Sequence, residues 1–448
     1  MRIRVYELSL LYSCVKSLLG EVVMEKLSLK ELAVPMIKAI DSFNYLLKSH
    51  HRRTAVISYH IAKQMNIGEQ ELFELVVAAS LHDIGALSVQ ERDMLIRDDV
   101  TNPQPHCIVG YRMLRTFEPF NTIAQIVKHH HIEYEESFKM EPGEVLFASH
   151  ILHFSDRIDI FIKPDEFILN QKVNVIEKLR EKTGTVFHPQ VFEAFERASK
   201  SDIFWIDINN MGVEQLFRKL NFSLDYELTA DNIIDFSQTL SKIIDFRSRF
   251  TSSHSYTVAH LAFKIGSYLG FSEEKCKKLM VAGYLHDIGK IGIDPDIIEK
   301  NGPLTDSEYN LIKLHAYYTG QILNELNASE WFSEIVTWSE RHHEKINGNG
   351  YPFSLEEESL DEGVKVLAYS DIISALMENR PYREGLPIDV AFGIIKDKIC
   401  DTLSVEMFEV IERHKDEINN VVSECQNYAF TTYQDAVEEA SHMDLCDA

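Results

Sequence analysis

The chain reads as all-α, organised as two tandem helical bundles of related design. Three observations predict this. Apolar residues recur three and four apart in ELFELVVAASLHDIG, EKCKKLMVAGYLHDIGK and VEMFEVIERHKDEI, the spacing that lines one face of a helix. Runs of Val, Ile and Thr with strict alternation are scarce, with IFWIDI near residue 203 as a short strand-like exception. Gly and Pro fall between the periodic segments, as at Asn301-Gly302-Pro303 and from Gly348 to Pro352, where turns belong.

Taken in order, the first segment is MRIRVYELSLLYSCVKSLLGEVVMEKLS. Two Arg before an apolar stretch suggest a signal peptide, but Glu7 and Lys16 interrupt the stretch and no small-residue cleavage site follows. A helical extension over residues 1–26 is the expectation, with Met1 and Met24 both open as starts. No apolar run reaches the roughly eighteen residues that span a bilayer. A first domain over 27–210 follows, then a connector at 211–228 containing VEQLFRKLNFSL, and a second domain over 229–448.

The two domains repeat one another. SLHDIG at Ser80–Gly85 recurs as YLHDIG at Tyr284–Gly289, and a histidine precedes each His-Asp pair by 32 residues, His50 before His82 and His254 before His286. Downstream come a single histidine (His106; His315), a pair (His130-His131; His342-His343) and an Asp in a helical run (Asp156; Asp371). FHPQVFEAFERA and LSVEMFEVIERH then match near the end of each half.

Composition narrows the function. With 70 acidic against 45 basic residues and a formal charge of -25, the overall field repels long polyanions, so a nucleic-acid interface is not expected. A small anionic substrate is compatible if the site brings its own positive charge. The six cysteines (Cys14, Cys107, Cys276, Cys400, Cys425, Cys446) show no Cys-x-x-Cys spacing. They read as reduced thiols of a cytoplasmic protein, each serving as a small apolar residue.

The second half offers His254, His286, Asp287, His315, His342, His343 and Asp371. Imidazole and carboxylate suit first-row divalent metals. Seven such groups exceed the needs of one ion, so two are expected. Adjacent ligands such as His286-Asp287 sit about 100° apart on a helix and are expected to straddle its face, reaching two neighbouring ions with the carboxylate between them. A lone helical His is usually a surface or core residue. The ordered set appearing twice in one chain is what favours metal.

These residues resemble the HD phosphohydrolase superfamily. HDIGKIGI (His286–Ile293) followed by HHEKINGNGYP (His342–Pro352) is similar to the signature of its HD-GYP branch, as are GPLTDSEY, HAYYTGQIL and RPYR. The resemblance covers nearly all of the second half, while the first half resembles the plain HD domains that precede HD-GYP modules in tandem proteins. It implies a metal-dependent phosphodiesterase that opens a 3′,5′-cyclic dinucleotide to a linear 5′-phosphorylated product and onward to mononucleotides. Cyclic di-GMP comes first and cyclic GMP-AMP second, in bacterial second-messenger signalling. Alternatives are a general nucleotide phosphohydrolase, or a non-catalytic module binding the dinucleotide or a protein. A homodimer or a diguanylate-cyclase-type partner is also implied.

By the same resemblance the seven residues ligate two ions, iron or manganese first, with Asp287 bridging. Some relatives hold a third ion through a Glu four residues before the first His, where this chain has Phe250. The chemistry such a pair supplies is an ionised water aimed at phosphorus and neutralisation of the phosphoryl oxygens. Lys290, three residues beyond Asp287, is expected to hold a non-bridging oxygen. Arg380 offers a guanidinium fork to one phosphate and Arg383 serves the second. Tyr351 is carried towards the pocket by the Gly-rich loop, in which Asn347 stands where many relatives have Asp.

The first half keeps His50, His82, Asp83, His106, His130, His131 and Asp156 as a second candidate metal set, but Ala86 replaces the lysine and no GYP loop follows. Cyclic-dinucleotide cleavage is therefore not expected there. Three readings stay open: hydrolysis of a simpler phosphate such as the 5′-phosphate of the linear product, ligand-binding regulation, or a structural or dimerising scaffold.

Overall fold

A computed structural model of the chain describes residues 23–43, 49–86, 104–222, 225–245, 253–298, 300, 302–325, 330–379, 384–399 and 402–443. Arg380, Arg383 and Phe250 lie outside them, as do residues 1–22 of the expected helical extension.

The first half contains β1 (Val23–Ser28), α1 (Leu29–Phe43), α2 (His50–Lys63), α3 (Glu69–Leu81), α4 (Gln104–Leu114), α5 (Asn121–Lys128), α6 (Phe147–Phe161), α7 (Pro189–Ser199), α8 (Asp202–Asn210) and α9 (Val213–Arg218). The second half runs through β2 (Asp225–Thr229), α10 (Ala230–Asp245), α11 (His254–Tyr268), α12 (Glu273–Leu285), α13 (Asp306–Glu325), α14 (Glu330–Glu340), α15 (Glu362–Met377), α16 (Ile388–Lys398), α17 (Val405–Arg413) and α18 (Lys415–Met443). Polar residues set several helix starts. Ser272 accepts from the Lys275 N–H, Asp361 from Gly363 and Ser404 from Met407, each satisfying an otherwise orphaned donor of the first turn.

The expected all-α architecture of two helical bundles is what the structure has, with one small addition: β1 and β2 pair as an antiparallel ribbon with Leu27 opposite Tyr226 and Ser28 opposite Asp225. Residues 23–26 of the supposed helical extension are therefore strand. β2 ends a polar–apolar alternation that runs from Asn221 to Leu228, a local strand pattern that the sequence reading passed over, whereas β1 shows no such alternation and is paired with residues about two hundred apart in the chain. IFWIDI is helix, not strand: Phe204, Trp205 and Ile208 face the core while Ile203 and Ile206 are exposed. Burial there follows the helical period, helped by Ser201 capping the Ile203 N–H and by the Trp205 indole donating to the Ser199 carbonyl at 3.0 Å. α9 buries Leu216 and Phe217, the latter edge-on to Phe73 at 6.2 Å.

The halves share one continuous core. Phe236 of α10 meets Phe117 at 5.4 Å and Phe120 at 6.3 Å between ring centres, and truncating a buried aromatic such as these costs about 3–5 kcal/mol. α1 packs against α13 of the other half, and α10 and α18 both pack against α4 of the first. Each half thus presses on a helix of its partner that carries a candidate metal-binding histidine, His315 on α13 or His106 on α4. No helix among the described residues is long and apolar enough to cross a membrane.

Candidate metal centre

α12 ends at Leu285, and the chain turns at His286 and Asp287 into a short 3-10 turn over Ile288–Gly292. Thr319 on α13 pins this turn: its hydroxyl donates to the His286 carbonyl at 2.9 Å and accepts from the Gly289 N–H at 3.0 Å. The approach is so close that a Cβ on Gly289 would lie 2.0 Å from the His315 carbonyl oxygen, and one on Gly85 would lie 2.1 Å from that of His106. Glycine is required at both places, and the squeeze brings each Asp within reach of the single downstream histidine. The ligand pairs therefore do not straddle a helical face as expected. His286-Asp287 ends a helix, and His342-His343 lies in the turn after α14. Departure from helical geometry is what lets adjacent side chains diverge towards two places.

All seven residues of the second half converge. Asp287 is central and presents its two oxygens to different groups. Oδ2 lies 3.2 Å from His286 Nε2 and 3.7 Å from His254 Nε2, while Oδ1 lies 3.4 Å from His315 Nε2. Asp371 Oδ1 is 3.2 Å from His254 Nε2. Ligating atoms cluster as His254, His286 and Asp371 on one side and His315, His342 and His343 on the other. The rings are aimed from behind: Nδ1 of His286, His315 and His342 bonds the carbonyls of Gly283, Ile312 and Ser339 at 2.8, 2.5 and 2.7 Å. That fixes the tautomer whose Nε2 lone pair faces inward, the usual support for a metal-binding imidazole. His254 Nδ1 instead meets Ser374 Oγ at 3.2 Å and Glu378 Oε2 at 3.3 Å.

The donor set fits divalent cations. His286 Nε2 and Asp287 Oδ1 are buried without a hydrogen-bond partner, an arrangement costly unless something else satisfies them. Burial holds the His315 and His343 imidazoles down to about 4 and about 3, so both are neutral donors at physiological pH. Burial opposes charge on His254 too, but the carboxylates of Asp371 and Glu378 outweigh it and raise that ring to about 10. It likewise opposes ionisation of Asp287, yet Lys290 and His286 hold the carboxyl well below the usual range. Both shifts describe a pocket whose acids call for positive charge.

Lys290 lies where the spacing predicts, its Nζ 2.5 Å from Asp287 Oδ2 and its side chain a quarter exposed. Tyr351 packs on His343 with ring centres 4.7 Å apart. Its loop is anchored by Glu344, which is buried and accepts from the Phe353 and Leu355 N–H groups at 2.6 and 2.9 Å. Sequence reasoning passed over Glu344, Thr319 and Glu378. Glu344 was visible only as part of the HHEK run and Thr319 only as part of HAYYTGQIL, while Glu378 carries no local signal.

The first half builds a matching centre. Asp83 Oδ2 lies 3.5 Å from His50 Nε2 and 3.2 Å from His82 Nε2; Oδ1 lies 3.4 Å from His106 and 3.7 Å from His130. Asp156 Oδ1 is 3.2 Å from His50 Nε2, and His131 joins His106 and His130. Around this shared frame the neighbours differ. Asp159, at the position of Ser374, bonds His50 Nδ1 at 2.7 Å, and Arg157 bonds Asp156 Oδ2 at 2.6 Å. Cys107 is not merely apolar filling, since its Sγ lies 3.5 Å from His130 Nδ1 and 3.7 Å from His106 Nε2. Like Cys276 and Cys425, it is buried.

Comparison with known proteins agrees with this duplication. A family described as HD domain matches residues 238–399, and a family of the same description matches residues 47–160. A 3′3′-cGAMP-specific phosphodiesterase 1 of Vibrio cholerae is 25% identical over 403 residues, covering 86% of this chain and 92% of that protein. A cyclic di-GMP phosphodiesterase of Thermotoga maritima is 29% identical over 263 residues, covering 57% and 67%. A crystal structure of a cyclic GMP-AMP specific phosphodiesterase from V. cholerae superposes with a TM-score of 0.56 at 21% identity, across 88% of this chain and 98% of that one, and so shares its fold.

Proposed function

The chain belongs to the HD phosphohydrolase superfamily as a tandem pair of HD domains, the second of the HD-GYP branch, and from that membership we propose that its second half hydrolyses a 3′,5′-cyclic dinucleotide to the linear 5′-phosphorylated form. The observation that carries this is Asp287, whose two oxygens face two separate groups of imidazoles. His254, His286, Asp287 and Asp371 would hold one cation, and Asp287, His315, His342 and His343 the other. Iron or manganese fits the nitrogen and oxygen donors. Bound there, two such cations would supply a solvent nucleophile at neutral pH and counter-charge for phosphoryl oxygens.

The chain's own residues do the rest. The backbone bonds to Nδ1 fix the imidazoles of His286, His315 and His342, and Ser374 with Glu378 holds that of His254, so the site costs little to organise on binding. Lys290 is assigned to a non-bridging phosphate oxygen, and Arg380 and Arg383 to the phosphates as bidentate partners. Tyr351, held against His343, gives a base an aromatic face to stack on. The relatives whose likeness runs through both halves bear cyclic GMP-AMP names, which moves weight from cyclic di-GMP towards cyclic GMP-AMP. A reducing compartment suits the free thiols, so the cytoplasm is the expected place of action. The first half is read as a second cation-holding centre.

The test is to load the full chain with iron or with manganese and incubate it with cyclic di-GMP, 3′3′-cyclic GMP-AMP and cyclic di-AMP. Products are identified by mass. A linear dinucleotide from at least one is expected; no turnover of any, with either metal, would refute the reading.

A further inference from the structure

The first centre contains one donor that its counterpart lacks. His51 follows His50 on α2, is 4% exposed, and has a buried Nε2 with no hydrogen-bond partner. That atom lies 3.8 Å from Asp83 Oδ2, and the ring sits 5.1 Å from His82 and 5.8 Å from His50 between centres. An ion about 2.1 Å from both Nε2 and Oδ2 fits that separation. The matching residue of the second half is Ser255, whose hydroxyl turns away to donate to Asp245 Oδ1 at 3.0 Å.

We infer that His51 is an additional metal ligand of the first centre, and that it closes a coordination position which the second centre keeps open for solvent and substrate. The inference rests on the first cluster's holding cations. The ion on this side then has five donors: Nε2 of His50, His51 and His82, Oδ2 of Asp83 and Oδ1 of Asp156. The corresponding ion of the second half has four, from His254, His286, Asp287 and Asp371. For a six-coordinate metal that leaves about one position instead of two. Arg157 occupies the other oxygen of Asp156 at 2.6 Å, so this carboxylate offers the ion a single oxygen. A closed ligand set retains metal, whereas an open one lets it react. The first centre is therefore a holding site on the His51 side.

Cobalt(II) reports the ligand set directly. The full chain carrying His286→Ala and Asp287→Ala, which disables the second centre, is loaded with cobalt and followed by its visible absorption band and by equilibrium dialysis. Adding His51→Ser should weaken cobalt binding by about tenfold and alter the band as coordination falls, with His51→Gln giving the same direction. Unchanged band and affinity in both variants would show that His51 is not a ligand. Failure of the parent double variant to take up cobalt while folded, judged by circular dichroism, would instead overturn the reading of the first cluster as a metal site. His51→Ser in the otherwise intact chain gives a second measurement, expected to lower retained cobalt after dialysis while cyclic-dinucleotide turnover persists. Full retention there also counts against the inference.

Discussion

The two centres are built on one plan and furnished differently. In both, an Asp at the end of a helix turns one oxygen towards the histidine that begins α2 or α11 and the other towards the histidine of α4 or α13. Around that frame the first half places His51, Arg157, Asp159 and Cys107, where the second has Ser255, Ile372, Ser374 and Ala316. It lacks a counterpart of Lys290. The ligands of the first centre are all buried, whereas Asp371 and Lys290 of the second keep 15% and 25% side-chain exposure. The helices and the glycine squeeze dictate where donors meet. The residues that differ stand one to three positions from the shared donors.

The strongest way to break the comparison is to remove the His-Asp pair from each half in turn. His286→Ala with Asp287→Ala should reduce cyclic-dinucleotide turnover by on the order of 10⁴-fold, since the group that ionises solvent is lost with its ligands. His82→Ala with Asp83→Ala should leave turnover within a few-fold of the parent chain; steady-state rates on both variants, with metal content, decide the matter. Equal losses would mean that the halves act as one catalytic unit.

Lys290 sharpens the contrast. Lys290→Ala should retain metal while slowing cleavage by about 10²-fold, the usual loss for one charged group aimed at developing negative charge. Placing the lysine in the first half, as Ala86→Lys, should confer no cyclic-dinucleotide cleavage there, measured in a chain whose second centre is disabled. If Lys290→Ala strips the metal instead, the lysine holds Asp287 in place and does not handle phosphate.

The smallest effect concerns the seam between the halves. Lys242 of α10 donates to Thr116 Oγ1 of the first half at 2.8 Å, and burial pushes its ammonium from 10.5 down to about 8. The unfolded chain therefore binds more protons between about pH 8 and 10.5, and stability rises with pH across that window. Below it the cost of the buried charge is constant. Lys242→Met should remove the rise and stabilise the chain at neutral pH by about 1–3 kcal/mol, read from denaturant unfolding at pH 7 and pH 10. Thr116 keeps its own bond to the Arg112 carbonyl.

Much of the site was legible because ligands must be particular residue types. The 32-residue interval before each His-Asp pair reflects two helices and a turn whose combined length is the same in both halves. Tyr351 could be read from its loop. His51 escaped notice because a second histidine beside His50 looks redundant until Asp83 is seen between them. Asp159 and Ser374 stand three residues beyond Asp156 and Asp371, a spacing that shares a helix face and could have flagged them. The alternation from Asn221 to Leu228 could have flagged β2, but its pairing with β1 and the grip of Thr319 on the His-Asp turn join residues remote in the chain, and no periodicity encodes such meetings. IFWIDI misled because a six-residue alternation cannot distinguish a strand from a helix whose burial is settled by its neighbours.

The packing of α1 on the helix that carries His315, and of α10 and α18 on the helix that carries His106, has an evolutionary corollary. Neither half is a removable cassette. Deleting residues 23–222 would strip the second half of its strand partner and of the outer buttress behind a ligand, so an inert first domain would still be retained by selection as scaffolding for its active sibling.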